Sequence, residues 1–385
     1  RAFRSTSLAA VPAFTPSPAG LSLALYTKGA IGDGNRANNP WLQEMPDPIT
    51  TATWDNYLNI SPAAAKELGI KQDDVVEISA SDTKVELPVN IQPGLHAGTV
   101  AAAIGYGRTA AGKVGTGVGR DVKDFVSSPS ATNAATAAGD VIFSGAVVKL
   151  RKTGKRYQIA VTQWHSATEN RPIVNDLTLA EFRNDPKMAN HSDPHMRLEP
   201  VPTMWAKFKY PGHKWGMTID LNACTGCGSC IIGCQAENNI PVVGRDNVRK
   251  SREMHWLRLD RYYSGSPENP NVVFQPMLCQ HCDNAPCETV CPVLATVHNN
   301  EGLNEQVYNR CVGTRYCQNN CPYKVRRFNF FDHWKAYEGS MNLAWNPDVT
   351  VRSRGIMEKC TFCVQRIRDA KDKAKDEGRK VRETE

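Results

Sequence analysis

The 385-residue chain holds 13 cysteines, none of them before Cys224, and their types and spacing concentrate its chemistry. Cys224, Cys227, Cys230 and Cys234 form C-x2-C-x2-C-x3-C, with Gln235 where a proline often follows. Cys279, Cys282, Cys287 and Cys291 repeat the pattern with a longer middle loop and end on Pro292. Cys311, Cys317 and Cys321 make a third run, closed by Pro322, in which Thr314 stands at the place of the second cysteine. Cys360 and Cys363 open a fourth run that the last 22 residues do not complete. Runs of this spacing let three thiolates converge on one iron-sulfur cubane while the fourth reaches a second. An odd cysteine count excludes complete internal disulfide pairing, and a chain of this length needs no such staples. A C-x2-C pair alone is half of a zinc ribbon, but tight four-cysteine runs in series are not ribbon spacing.

Two-cluster ferredoxins exchange their fourth ligands between runs. Applied here, Cys279, Cys282, Cys287 and Cys321 hold one 4Fe-4S cluster, and Cys291, Cys311 and Cys317 hold another. With Thr314 replacing a thiolate, the latter site offers three ligands, and 3Fe-4S is its natural occupant; the alternative is a cubane whose fourth iron takes water or another oxygen ligand. The first and fourth runs pair likewise. Cys224, Cys227 and Cys230 then need a fourth ligand, and Cys234, Cys360 and Cys363 need a third cysteine from the fourth run, so the chain reads as incomplete at its C-terminus. The expected complement is three 4Fe-4S clusters and one 3Fe-4S cluster. Arg310, Arg315, Lys324, Arg326 and Arg327 crowd the third run, where cations raise the potential of an anionic cluster. His281, inside C-Q-H-C, is expected to pack its loop.

The elements that position these runs divide the chain. Hydrophobic residues make up 41% and charged residues 22%, which excludes disorder throughout. No apolar stretch approaches the ~20 residues of a membrane span. Residues 1–200 carry 20 Lys+Arg against 19 Asp+Glu and residues 201–385 carry 26 against 20, so the basic excess lies with the cysteines. No aromatic-basic repeat or recognition helix supports nucleic-acid binding. Residues 1–25 are rich in Ser, Ala and Pro and read as an irregular lead-in. Residues 26–165 read as a small β-barrel. Ser61-Pro62 through Leu68-Gly69 marks a short helix with a serine cap and a glycine stop. Val75–Ser79 and Lys84–Ile91 pair around Ser81-Asp82, Thr99–Ile104 makes a third strand, and Val147–Leu150 with Tyr157–Val161 is expected to form a hairpin turning at Thr153-Gly154. Gly107 to Val114 nearly matches the phosphate-binding G-x-x-x-x-G-K-[ST] loop, but Val114 replaces the hydroxyl that ligates magnesium, so a flexible barrel loop is expected instead. Residues 166–212 read as a connector. Residues 213–385 form the cysteine-organised region, with strand-like pieces at Trp256–Asp260 and Val272–Phe274. The fold class is α+β.

The segments ACTGCGSCIIGCQAENNIPVVG, FQPMLCQHCDNAPCETVCPV, YNRCVGTRYCQNNCPYKVRRFNF and MEKCTFCVQRI resemble the four-cluster ferredoxin subunits that accompany molybdopterin oxidoreductases. With the V-G-T variant and the preceding barrel, the chain is most similar to the iron-sulfur B subunit of alternative complex III. The resemblance implies that residues 26–165 are a double-psi-type barrel like those that clamp a molybdopterin dinucleotide, here without a molybdenum cofactor, and that residues 213–385 are a double bacterial-ferredoxin-like domain. It further implies a peripheral position on the periplasmic face of a bacterial cytoplasmic membrane. The implied partners are integral membrane quinol-binding subunits, a multihaem c-type cytochrome subunit and the remainder of the molybdopterin-like region. Electrons would then pass from quinol towards c-type haems, entering through a basic face at Cys311–Arg327. A relay subunit of a polysulfide or dimethyl sulfoxide reductase is the alternative.

Overall fold

Alternating apolar and polar residues dictate the strands of the N-terminal half, because side chains two apart share a face of a strand. A computed structural model describes residues 20–126, 143–169, 171, 173–186, 204–337 and 339–381. Residues 1–19 of the expected lead-in and 187–203 of the expected connector lie outside the described residues. The chain forms two units: Arg1–Thr162 with Gly244–Arg249 and Gly265–Pro270, and Gln163–Val243 with Lys250–Ser264 and Asn271–Glu385.

The first unit is a closed six-stranded barrel of β1 (Leu21–Tyr26), β2 (Leu58–Ile60), β3 (Asp74–Ala80), β4 (Thr83–Ile91), β5 (Thr99–Ala103) and β6 (Ser144–Arg156), in the order β1-β5-β2-β4-β3-β6. The pairs β1/β5 and β2/β4 are parallel and the others antiparallel. Leu23, Leu58, Ile60, Val76, Ile78, Leu87, Val89 and Val100 fill the barrel, each nearly inaccessible to solvent. The helix Pro62–Glu67 is capped by Ser61, whose side chain accepts from the Ala64 N–H, as its sequence requires.

Three expectations change. The barrel begins at Leu21, inside the supposed lead-in, because L-S-L-A-L-Y already alternates with period two. In place of the expected hairpin, Val147–Leu150 continues through Thr153-Gly154 in one 13-residue strand that ends at Arg156, and residues 157–160 lie beyond it. Gly154 lies within β6 at φ +79°, beside the register shift of the β3/β6 ladder at Asp74/Val76, and Thr153 Oγ1 donates to the Val75 carbonyl. The Thr-Gly pair therefore makes a β-bulge rather than a turn, and β6, which pairs with β1 up to Val148, continues along β3 on both sides of the bulge to Arg156. Lastly, the loop at Gly107–Val114 is tightly packed rather than flexible. A Cβ on Gly115 would lie 2.6 Å from the Ala37 carbonyl oxygen, and the Val114 N–H, which a phosphate loop would leave for its anion, donates to Asn38 Oδ1 at 3.0 Å. Gly107, at φ +70°, would place a Cβ 2.1 Å from the Asp121 nitrogen. Gly107→Ala is thus expected to destabilise the protein by more than about 1 kcal/mol, measured as a lowered unfolding midpoint.

Behind this loop, Asp55 is buried and accepts from Tyr157 Oη at 2.6 Å, Arg245 Nη1 at 2.9 Å and the Gly119 N–H at 3.2 Å. The second unit consists mainly of loops and short helices, with a long helix at Val364–Asp376. Strands Arg258–Ser266 and Asn269–Met277 pair as a hairpin, longer than the pieces expected there. Among the described residues no helix is long and apolar enough to cross a membrane.

Candidate cluster-binding site

Each cysteine run builds the same local bend. The residue immediately before the second ligand position has a positive φ in all four: Gly226 at +72°, His281 at +45°, Gly313 at +75° and Phe362 at +57°. Glycine adopts this left-handed conformation freely, whereas His281 and Phe362 hold it at a cost that their surroundings must offset. The His281 and Phe362 rings meet with centroids 4.3 Å apart, and His281 Nδ1 accepts from the Asn304 N–H at 2.9 Å. Burial, with Lys359 and Arg326 nearby, pushes the His281 imidazole down to about 2, so it stays neutral and packs its loop. The first and third runs share a second left-handed residue after the ligand position, Gly228 at +76° and Arg315 at +64°. Thr314 therefore occupies the second-ligand position of a fully formed ligand loop.

Short helices then carry the later cysteines of each run. Cys230 and Cys234 lie on Ser229–Glu237, Cys287 on Pro286–Thr289 and Cys317 on Tyr316–Asn320, while Cys363 precedes Val364–Asp376 as its N-terminal cap. The sulfurs gather in four groups. Cys230 is raised by burial and by Cys227 and Cys224 beside it. Cys234 is raised by burial and then by Cys360 and Cys363, and the Asn238 amide lies 3.7 Å from both the Cys234 and Cys363 sulfurs. Burial raises Cys282, with Cys279 and Cys321 adding to it; Cys287 rises through burial too, with Cys279 adding, against the opposing pull of Arg326. Cys317 is raised by burial, with Cys311 and Cys291 as like neighbours and Arg326 opposing.

Each of these groups lies next to another. Cys230 neighbours Cys234, Cys360 neighbours Cys279, and Arg326 lies against both Cys287 and Cys317. Backbone donors also reach the sulfurs: Ala295 N–H to Cys291 at 3.2 Å, Met357 N–H to Cys311 at 3.4 Å and Phe362 N–H to Cys360 at 3.4 Å. Burial alone would raise the Cys291 thiol, but the Val293, Ala295 and Thr296 N–H groups outweigh it and bring it below its ordinary value. An all-sulfur donor set with N–H groups directed at it fits iron-sulfur clusters, whose potentials depend on such hydrogen bonds. Among the described residues no three His, Cys, Asp or Glu side chains approach closely enough to hold a single metal ion.

The basic residues of the third run divide. Arg310, Arg315 and Lys324 are exposed, and Arg315 rests over the Phe328 ring at 4.9 Å. Arg326 and Arg327 turn inward, correcting the expectation that both belong to a docking face. Arg326 is 2% exposed, and Arg327 donates to Glu253 at 2.8 Å and to the His255 carbonyl at 3.0 Å. The polar frame around the sulfurs was not visible in the cysteine spacing: Asn238, Lys359 and the pair Arg352/Glu358 are all buried. Lys359 announces itself only by preceding Cys360, where Nζ donates to the Asn304 and Cys360 carbonyls.

His255 gives a pH prediction. Burial, helped by Arg327, pushes its imidazole down to about 3. The unfolded chain, with an imidazole near ~6.5, then binds more protons than the folded one between that value and the folded value, so stability falls as pH drops through this window. His255→Leu is expected to flatten the fall in thermal midpoint between neutral pH and pH ~4 relative to the unaltered protein.

Comparison with known proteins agrees with this layout. The molydopterin dinucleotide binding domain family matches residues 36–138, and 4Fe-4S dicluster domain families match residues 223–295 and 270–337. The chain is 47% identical over 176 residues to the menaquinone reductase iron-sulfur cluster-binding subunit of Nitratidesulfovibrio vulgaris, covering 45% of this chain and 68% of that one. It is 35% identical to the Hdr-like menaquinol oxidoreductase iron-sulfur subunit 1 of Archaeoglobus fulgidus, covering 42% of this chain and 63% of that one. It is likewise 35% identical to the B subunit of tetrathionate reductase from Salmonella typhimurium, covering 43% and 58%. The chain thus spans less than two thirds of the last two. Four loops of one design, neighbouring sulfur groups and these matches place the chain in the family of ferredoxin-type, iron-sulfur cluster-binding electron-transfer subunits.

Proposed function

We propose that the chain relays electrons in a membrane-bound quinol-oxidising complex of the alternative complex III type, along four clusters held by the four sulfur groups. The adjacency of the sulfur groups carries this reading, because electrons passed in series need neighbouring centres. Cys279, Cys282, Cys287 and Cys321 hold a 4Fe-4S cluster, Cys291, Cys311 and Cys317 hold a 3Fe-4S cluster, and the groups Cys224/Cys227/Cys230 and Cys234/Cys360/Cys363 hold the remaining two 4Fe-4S clusters. When bound, the clusters supply one-electron carriage. The protein supplies the dry surroundings, the N–H donors to sulfur and the buried cations that tune the potential.

Electrons enter at the three-cysteine end, where exposed Val312 and Tyr316 lie among exposed Arg310 and Arg315, a mixture suited to docking on a membrane quinol subunit. They leave at the Cys224 end towards a multihaem c-type cytochrome subunit on the periplasmic face. The residues expected to form the barrel, 26–165, belong with the remainder of a molybdopterin-like region and need no molybdenum for this relay. Redox titration of the purified assembly tests the direction: the three-iron cluster should be reduced first by quinol, and reduction of another cluster first would reverse the path. The relation to the B subunit of tetrathionate reductase supports a second reading, the relay subunit of a working molybdopterin oxidoreductase. Molybdenum analysis separates the two, since only the second requires the metal.

A further inference from the structure

Arg326 differs from Arg352, Arg327 and Arg258 of its unit. Arg352 pairs with Glu358 at 2.8 Å, Arg327 with Glu253 at 2.8 Å and Arg258 with Asp260 at 2.8 Å. Arg326 makes no salt bridge to a carboxylate among the described residues. Its Nη1 donates to Gln306 Oε1 at 2.8 Å, and its Nη2 donates to Asn304 Oδ1 at 3.1 Å and to Cys287 Sγ at 3.2 Å. Cys317, a member of the neighbouring sulfur group, packs in the same buried cluster as Cys287, within reach of the same cation. A cation buried among neutral amides, without a carboxylate, is costly unless another anion balances it. Thiolate-bound clusters held by the groups of Cys287 and Cys317 would supply that anion.

On the reading that the groups Cys279/Cys282/Cys287/Cys321 and Cys291/Cys311/Cys317 hold clusters, we propose that Arg326 is a positioning residue shared by both, one fixed cation that sets their two potentials together. A charge against one cluster alone would deepen that centre and make it a trap for the electron. A charge between two raises both relative to the rest of the chain and leaves the step between them unchanged. The transfer is one electron from the reduced to the oxidised cluster, with no bond made or broken. No proton moves, because a guanidinium keeps its own at any working pH.

The test uses the full chain in its assembly and reads potentials by spin-resonance redox titration. Gln306→Glu places a carboxylate against Arg326 Nη1 while still accepting from Arg326 and from Thr296 Oγ1, so it cancels the charge with little change of shape. Both flanking clusters should become harder to reduce by about tenfold or more in equilibrium constant, about 59 mV each for one electron. The other two should move much less. Arg326→Lys keeps the charge with a different donor geometry and should leave both potentials nearer their original values than Gln306→Glu does. If Gln306→Glu loses iron, Arg326→Met, which removes the charge and keeps much of the side-chain volume, decides the matter: both potentials should fall together. A shift confined to one cluster, or spread equally over all four, overturns the shared role while leaving the relay intact. Absence of any cluster signal from the Cys291/Cys311/Cys317 site in the unaltered protein overturns the cluster assignment itself.

Discussion

Replacing Thr314 by cysteine is expected to convert the Cys291/Cys311/Cys317 site from three irons to four. Gly313 and Arg315 flank Thr314 with the same pair of left-handed residues that flank Cys227, so the backbone at 314 already follows a ligand loop and only the sulfur is lacking. Gly313 is held there by crowding as well as by φ, since a Cβ on it would lie 2.5 Å from the Gly355 carbonyl oxygen. The check is iron content together with the spin signal of the oxidised protein. The unaltered chain should show the signal of an oxidised three-iron cluster and Thr314→Cys should lose it with a gain of about one iron at this site. An unaltered chain without that signal, or a variant that keeps it, would show that the position does not address the open corner.

Glu358→Ala should be the most damaging single substitution away from the cysteines. Glu358 is 1% exposed and accepts three bonds, from Arg352 Nη2 at 2.8 Å, Trp256 Nε1 at 2.9 Å and Asn329 Nδ2 at 2.6 Å. Removing one member of a buried ion pair leaves its partner charged and uncompensated, at about 3–5 kcal/mol. The damage reaches the sulfurs, because the short strand Met357–Glu358 pairs with Arg327–Phe328, carries the N–H that donates to Cys311, and leads directly to Cys360. Thermal unfolding and iron content should fall together. Arg352→Met with Glu358→Leu, which removes both charges, should recover part of the stability. A single variant that retains both stability and iron would show that the pair does not support the strand.

Much of this was legible in the residues. The serine-capped helix, the β3/β4 pair and the cysteine runs each announce themselves through local rules, a cap, a period of two or a fixed spacing. The long strand β6 was not legible, because Thr-Gly is the signature of both a turn and a bulge, and only the pairing of β6 with β3 on both sides of it decides between them. The division of the third-run basic residues was equally hidden. Arg326 and Arg327 are adjacent to each other and alike, and what separates one facing sulfurs from one facing Glu253 is tertiary packing. No spacing records the polar frame: Arg352, Glu358 and Lys359 are close in sequence, but Glu358 and Lys359 are held by Trp256, Asn329 and Asn304, and Asn238 comes from the first run.

The assignment of Gly244–Arg249 and Gly265–Pro270 to the barrel unit bears on the order of synthesis. Asp55 leaves the ribosome early, but Arg245, which pairs with it, is made only after Cys224, Cys227, Cys230 and Cys234. A nascent chain that stops before residue 245 holds a barrel whose buried carboxylate has no guanidinium to neutralise it, while the first four thiols are already present. Completion of the barrel therefore waits on sequence embedded among the cysteine runs, and no single cut in the gene yields two self-sufficient halves.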